Sequence, residues 1–362
     1  MKKILVIITT EFVSFGGLTT VMMNYYRAID KNKYRVDFAS TNNKLDENLR
    51  QEINANGSNY YWLGDRKHNT FCYIRKLYSL LKDSDYQVVH VNANSATAAI
   101  ELFTAKIVGV PIRIAHNHTS ICDHKAFHKM LYPLFISSYT DAIACSDKAG
   151  KWIFNNNDFV VLNNGIDTQK FIFCEEKRSA IRQKFNIDND ILVFGHVGKI
   201  YKPKNHEFLL HVFSDYTKYN DKCKLLLVGD GELRSNIEKL AKELKIDNNM
   251  IFVGMQTDIA SYLSAMDIFL FPSLWEGLPL SLVEAQASGL RCIASDTIDS
   301  SVNVTKKVTM LPITEGTKVW VDSMKNVQKI DRKTASFEQV QLLIDGGFDA
   351  KVNVEKLEAI YK

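Results

Sequence analysis

Short apolar runs and helix-period segments alternate along this chain. Strand-like runs fall near residues 3–9, 35–39, 59–63, 87–91, 111–116, 141–145 and 159–162, separated by amphipathic segments that include 18–29, 69–82, 95–108 and 124–137. Such alternation predicts βαβ units on a parallel sheet. It then begins again, with strands near 190–197, 223–228, 250–253, 267–271 and 291–295 and helices near 205–217, 232–245, 257–265 and 279–288. Two doubly wound α/β domains are therefore predicted, facing each other across a cleft in which a ligand would lie outside the carboxyl ends of the strands.

The seam is expected after Asn163-Asn164-Gly165-Ile166-Asp167, where a strand gives way to turn residues and then to a charged segment, Glu175 to Arg178. This makes 1–167 an N-terminal domain and 168–347 a C-terminal one. A last helix at about 348–362, clearest over Val354 to Tyr361, is expected to complete the first domain, although its pattern suits either. Beyond residue 300 the periodicity weakens.

The stretch Trp275-Glu276-Gly277-Leu278-Pro279-Leu280-Ser281-Leu282 follows the buried-strand run Ile268 to Phe271 and leads to Glu284. Pro279 suits a first helical turn and Gly289 a C-terminal stop, so a helix over about 279–288 is predicted. Side chains lean toward the helix N-terminus, which aims Glu284 at the exposed amides of Leu280 and Ser281. Those amides and the helix dipole form an anion site. A ligand with phosphate for the amides and hydroxyls for Glu276 and Glu284 would fit. The alternative is that both carboxylates are solvated.

Other segments carry polar chemistry at strand ends. Gly16 and Gly17 join the first strand to a helix and would let backbone amides approach a phosphate, or form a simple turn. Their spacing is not that of a dinucleotide-binding G-x-G-x-x-G, so a dehydrogenase is unsupported. Lys199 and Lys204 follow a buried strand and could neutralise a diphosphate; solvated loop lysines are the alternative. Val228-Gly-Asp230-Gly reads as a structural turn opening a helix with acidic residues in its first turn, lining of a ligand's base pocket being the lesser alternative. His116 and His118 end a buried strand. With no acidic or cysteine partner at suitable spacing, a metal site is not expected there, and hydrogen bonding to a sugar hydroxyl or a developing leaving group, or a structural role, remains. The segment His124 to Phe135, with Lys125 and His128, is basic and aromatic at near-helical spacing. An ordinary amphipathic helix is the simpler reading, and contact with an anionic membrane surface the other.

Composition narrows this picture little. The net charge is +4 over 362 residues and no arginine-rich or aromatic ribonucleoprotein signature occurs, so nucleic acid is not an expected partner. Six cysteines form no C-x-x-C pair, as befits free thiols in a reducing compartment. The N-terminal apolar run lacks a small-residue cleavage site and reads as a first strand, and no run approaches the ~20 apolar residues of a membrane span.

Taken together and in this order, these segments resemble the family 4 retaining glycosyltransferases of the GT-B fold, most closely their bacterial capsular and exopolysaccharide branch. The carrying residues are Glu276 and Glu284 of an E-x7-E element, Asp267 to Ser273 before it and Ala285 to Leu290 after it. Gly16-Gly17, Arg113 to Thr119, Ala144-Cys-Ser146-Asp, Asn164-Gly-Ile-Asp167, the Gly198 to Asn205 loop and Val228 to Gly231 complete the set. The resemblance implies transfer of a hexose from a nucleotide sugar, UDP-linked by expectation, to a saccharide or lipid-linked saccharide. It implies retention, no metal and no other cofactor, and a cytoplasmic protein that can sit on the inner membrane face.

By the same resemblance Glu284 would hold the ribose hydroxyls and Glu276 the transferred sugar. Gly277, Leu278, Pro279, Leu280, Ser281 and Leu282, with Lys199 and Lys204, would bind the diphosphate, and His116 would lie near the donor sugar. His118, Lys125 and His128 are placed on the acceptor side. Lys199 stands where the family usually has arginine, so the charge is kept without the bidentate fork. The alternatives to transfer are a GT-B nucleotide-sugar epimerase or hydrolase, and a GT-B sugar-binding subunit without activity.

Overall fold

The computed structural model describes residues 1–14, 16–43, 45–122, 124–326 and 330–362. It divides into two compact units, Met1–Gly165 with Ala350–Lys362, and Ile166–Asp349.

The first unit is built on seven strands: β1 (Lys2–Ile8), β2 (Tyr34–Ser40), β3 (Tyr60–Trp62), β4 (Val88–Ala93), β5 (Ile112–Asn117), β6 (Asp141–Ala144) and β7 (Val160–Val161), in the order β3-β2-β1-β4-β5-β6-β7. All described pairings are parallel. Central strands are apolar on both faces because helices cover both; Leu5, Ile7, Val89 and Val91 are fully buried. The final helix, Ala350–Tyr361, packs on the helix Gly17–Ala28 of this unit. Ala350 lies so close to Gly165 that a Cβ there would stand 2.8 Å from the Ala350 Cα. Asn353 donates to the Asn163 carbonyl at 3.0 Å, and Lys2 Nζ to the Tyr361 carbonyl at 2.8 Å.

The second unit carries β8 (Leu192–Val197), β9 (Cys223–Val228), β10 (Met250–Gly254), β11 (Ile268–Phe271), β12 (Arg291–Ser295) and β13 (Val308–Leu311), ordered β10-β9-β8-β11-β12-β13 and again parallel throughout. In each sheet the strand order reverses once, between β1 and β4 and between β8 and β11. That is where loops on either side diverge and leave a crevice at the carboxyl ends of the strands.

The predicted strands and most predicted helices are present, with differences at five places. Helices Glu47–Ala55 and Asp147–Phe154 were not anticipated. Residues read as a charged segment form the helix Glu175–Lys184, which buries through arginine: Arg178 and Arg182 bond Asp267 and the carbonyls that end the helix Ile259–Ala265. The helix predicted over 232–245 runs over Arg234–Glu243, and its first residue, Arg234, pairs with Asp230 at 2.8 Å. Past residue 300 the chain adds β13 and the helices Thr317–Lys325 and Arg332–Asp345.

Candidate donor site and histidine cluster

In the second unit, loops from both sides of the β8/β11 switch meet. Leu274 N donates to the Pro203 carbonyl at 2.8 Å. Gly198 is needed here, since a Cβ would approach the Lys204 Cε to 2.9 Å; its absence lets the lysine stem run back across the loop. The Val228-Gly-Asp-Gly turn packs beneath, with Gly198 N bonding the Val228 carbonyl (3.0 Å) and Ile200 N the Asp230 carbonyl (2.9 Å). A Cβ on Gly229 would sit 2.0 Å from the Gly198 oxygen, so this turn is a structural support.

Lys204 ends in a nearly buried place, its ammonium 2.8 Å from Glu276 Oε1 and over the face of Phe271 at 4.4 Å. The two residues were assigned to different parts of a ligand, and the structure pairs them. Lys199 is different: its side chain is 62% exposed and 3.4 Å from Glu232.

The helix after Glu276 runs over Leu280–Ala287, with Pro279 as its N-cap instead of its first residue. Leu282 N already donates to the Pro279 carbonyl at 3.1 Å, which removes it from the predicted phosphate-binding amides. No hydrogen bond is recorded for the Leu280 and Ser281 amides among the described residues, and no side chain caps this end. Gly277 is exposed, whereas Leu278 and Pro279 are buried. Gly289 closes the helix at φ +70°, against the helix Arg332–Asp345.

Glu284 is buried on this helix, and burial pushes its carboxyl up to about 7, against the opposing pull of Lys170 and Lys204. Among the described residues it makes no side-chain hydrogen bond or ion pair. A buried carboxyl without partners is costly, and a ligand's hydroxyl groups would satisfy it. Lys170, on the short helix Thr168–Phe171, was missed; it lies three residues past the Asn-Gly-Ile-Asp turn, which was the available signal.

In the first unit, β4 and β5 bring four polar side chains together at their carboxyl ends. His90 Nδ1 is 2.7 Å from the Tyr361 hydroxyl, and His90 Nε2 is 3.0 Å from His116 Nδ1. His118 lies tilted by 35° against His116, with centroids 4.0 Å apart, and reaches Asn92 Oδ1 through Nε2 at 2.9 Å. Burial lowers all three histidines, His90 to about 3 and His118 to about 4, so they are neutral near pH 7. His90 and Tyr361 were not predicted: the first hides in an apolar strand and the second is distant in sequence.

The other predicted residues of this unit are placed as follows. Gly16 N donates to the Val13 carbonyl at 2.9 Å, while Gly17 opens the helix Gly17–Ala28 with free space at its Cβ position. Lys125 is exposed at the start of the helix Lys125–Ile136. His128 is tied down: its Nδ1 accepts from Ala96 N at 3.2 Å and its ring lies 5.1 Å from that of Trp152.

Two family models cover nearly the whole chain, Glycosyltransferase Family 4 over residues 15–170 and Glycosyl transferases group 1 over residues 177–353. The protein EpsF of Bacillus subtilis, named as a glycosyltransferase, is 30% identical over 96% of this chain and 93% of its own length. This chain belongs to the family 4 glycosyltransferases. An Escherichia coli UDP-Gal:alpha-D-GlcNAc-diphosphoundecaprenol alpha-1,3-galactosyltransferase is 29% identical over 61% of this chain and 60% of its own. The capsular polysaccharide biosynthesis glycosyltransferase CapH of Staphylococcus aureus is 24% identical over 96% and 95%. Among solved structures, Anabaena HepE in complex with UDP and glucose matches with a TM-score of 0.78, covering 100% of this chain and 99% of its own at 15% identity, which places the fold as GT-B. The family 4 enzyme described here is thus a glycosyltransferase of polysaccharide or glycan biosynthesis.

Proposed function

We propose that this glycosyltransferase moves a hexose from a UDP-sugar to a saccharide or lipid-linked saccharide, with retention at the anomeric carbon and without a metal ion. The observation that carries the reading is Lys204, a nearly buried cation at the carboxyl end of β8, held by Glu276 from the loop that opens the helix Leu280–Ala287. As the glycosidic C–O bond breaks, negative charge builds on the leaving diphosphate. Lys204, the outer Lys199 and the amides of Leu280 and Ser281 are fixed positive groups that stabilise it. Glu284 takes the ribose hydroxyls and Glu276 the transferred sugar. The reaction occurs on one face of the sugar, with the leaving phosphate accepting the proton of the attacking hydroxyl. UDP in the HepE structure and UDP-Gal in the name of the Escherichia coli relative support the choice of donor.

That relative's acceptor, a diphosphoundecaprenol-linked sugar, supports a lipid-linked acceptor reached at the inner face of a membrane. No helix among the described residues is long and apolar enough to cross a membrane. Contact is assigned to the helix Lys125–Ile136, where Phe127 and Met130 are 60% and 64% exposed beside Lys125 and Lys129. The deciding experiment incubates the protein with UDP-glucose, UDP-galactose and their N-acetylated forms, an undecaprenyl-diphosphate-linked N-acetylhexosamine and excess EDTA, and reads the anomeric proton of the product. An α-linked disaccharide from an α-linked donor is expected. A β-linked product, loss of transfer in EDTA, or epimerised or hydrolysed donor alone would refute it.

A further inference from the structure

His196 lies one residue from the end of β8 in the second unit and is fully buried. β8 and β11 are paired at Phe194 with Ile268 and Gly195 with Phe269, and just beyond that point the imidazole bridges the strands: its Nδ1 is 2.8 Å from the Leu270 carbonyl. A carbonyl oxygen can only accept, so Nδ1 carries the proton. Burial first, then the neighbouring His206 and Lys204, depress the proton affinity of the ring, so the imidazole is neutral and Nε2 holds a bare lone pair. That nitrogen is buried with no partner among the described residues. An acceptor in that state costs free energy until a donor reaches it.

The donor beside it is Lys204. The lysine Cε and His196 Nε2 lie 2.9 and 3.3 Å from a single point, the position a Cβ on Gly198 would take, so they flank one gap that this glycine keeps open. Lys204 carries three N–H groups. Its ammonium is 2.8 Å from Glu276 Oε1, yet that oxygen makes no aligned hydrogen bond, and no other acceptor is recorded for the ammonium among the described residues. The ion pair is thus close but loosely directed, and a phosphate can draw the cation from it. His206 stands edge-on to His196 with centroids 4.8 Å apart and makes no hydrogen bond to it, so it does not supply the missing donor.

We propose that His196 is a positioning residue of the donor site: when a diphosphate takes Lys204 from Glu276, Nε2 accepts a second N–H of the same ammonium and fixes the cation against the ligand. The gain in donor binding rests on the assignment of Lys204 to the diphosphate; the contact between Lys204 and His196 does not. His196, Lys204, Glu276 and Leu270 all lie within one unit.

The test uses the full-length protein with 15N-labelled histidine. Long-range proton–nitrogen correlation should show His196 protonated at Nδ1 and bare at Nε2, and saturating UDP should move the Nε2 resonance. Glu276→Gln, which frees the ammonium, should move it before UDP is added, and Lys204→Met should abolish both changes. For binding, His196→Asn sets an amide nitrogen at the place of Nδ1, which keeps the bond to Leu270, and leaves nothing at the place of Nε2. Calorimetric titration should show UDP bound about tenfold more weakly by this variant, the measure of one hydrogen bond to a charged group. In the Lys204→Met background the same substitution should cause no further loss. A proton on Nε2, an Nε2 resonance unmoved by both UDP and Glu276→Gln, or one moved equally in Lys204→Met would overturn the proposal, and these spectra decide it if His196→Asn does not fold. So would an equal loss of UDP affinity from His196→Asn in the Lys204→Met background, which would mark the histidine as merely structural. If Lys204→Met binds UDP as tightly as the wild type while Glu276→Gln still moves Nε2, the assignment of Lys204 to the diphosphate falls and its contact with His196 stands.

Discussion

Lys204 and Glu276 form an ion pair at 2.8 Å, with side chains only 10% and 14% exposed. In the proposed site the diphosphate takes the cation and the sugar the carboxylate, so ligand binding reapportions their partners. Glu276→Gln is expected to lower kcat by about 10²–10³-fold while UDP affinity stays within about threefold. Lys204→Met is expected to weaken UDP binding instead. A double-mutant cycle on stability should return a coupling of roughly 0.5–3 kcal/mol, as for residues in direct contact. Equal kinetic effects of the two single variants would contradict the assignment.

Glu284 should make stability fall with rising pH. Its carboxyl sits at about 7 in the folded protein against 4.5 when unperturbed, so between these values the folded state binds more protons than the unfolded one. Stability therefore declines as pH rises from about 4.5 to 7 and levels off above, by about 3 kcal/mol at the upper bound. Glu284→Gln removes the titration. The variant should melt higher than the wild type at pH 8, show no such advantage at pH 4.5, and bind UDP more weakly. Denaturant unfolding at the two pH values and calorimetric UDP titration read these outcomes.

Lys199 and Lys204 should separate by readout. Lys199 forms an exposed pair with Glu232, of a kind that contributes about 0–1 kcal/mol, so Lys199→Ala should leave the melting temperature nearly unchanged. Donor KM should still rise by roughly threefold through the lost charge, less than in Lys204→Met. A larger rise for Lys199 would place the principal phosphate contact at the outer lysine.

Gly289 tolerates no side chain. Its φ is +70°, and an added Cβ would stand 2.8 Å from both the Arg332 carbonyl and the Ser336 amide. Gly289→Ala should destabilise the protein by about 2–3 kcal/mol, measured by chemical denaturation, because backbone strain and a clash with a neighbouring helix combine.

Membrane affinity should depend on charge and exposed apolar groups together. Replacing Lys125 and Lys129 by Gln removes about 1 kcal/mol each, or about 30-fold in all, from binding to vesicles rich in anionic lipid. Phe127→Ser with Met130→Ser should reduce it further, and neutral vesicles should bind neither form well. Sedimentation with vesicles measures this, and wild-type levels of binding by the four-fold variant would exclude this helix.

The strands were legible because apolar runs flanked by turn residues have few other uses: Cys223–Val228 and Arg291–Ser295 match the reading residue for residue. Where burial is achieved by polar groups, that signal is lost. Glu175–Lys184 looks solvated in sequence, yet Arg182 is buried with its guanidinium spread over backbone carbonyls. The residues around Glu276 and Glu284 stood out through their order and turn chemistry. The ion pair from Lys204 did not, since it depends on how two loops fold back. His90 and Tyr361 show the limit most plainly: 271 positions apart, they meet only because the last helix returns to the first unit.

That return has a consequence for biosynthesis. The segment Ala350–Tyr361 leaves the ribosome only after the whole of Ile166–Asp349 has been made, so the nascent first unit must wait, its sheet formed but one flank open, for roughly 10–40 s at ordinary synthesis rates. During that interval the surface destined for Tyr361, including the ring of His90, is uncovered. The unit that emerges earliest is therefore the one completed latest, and it is the growing chain's own tail that closes it.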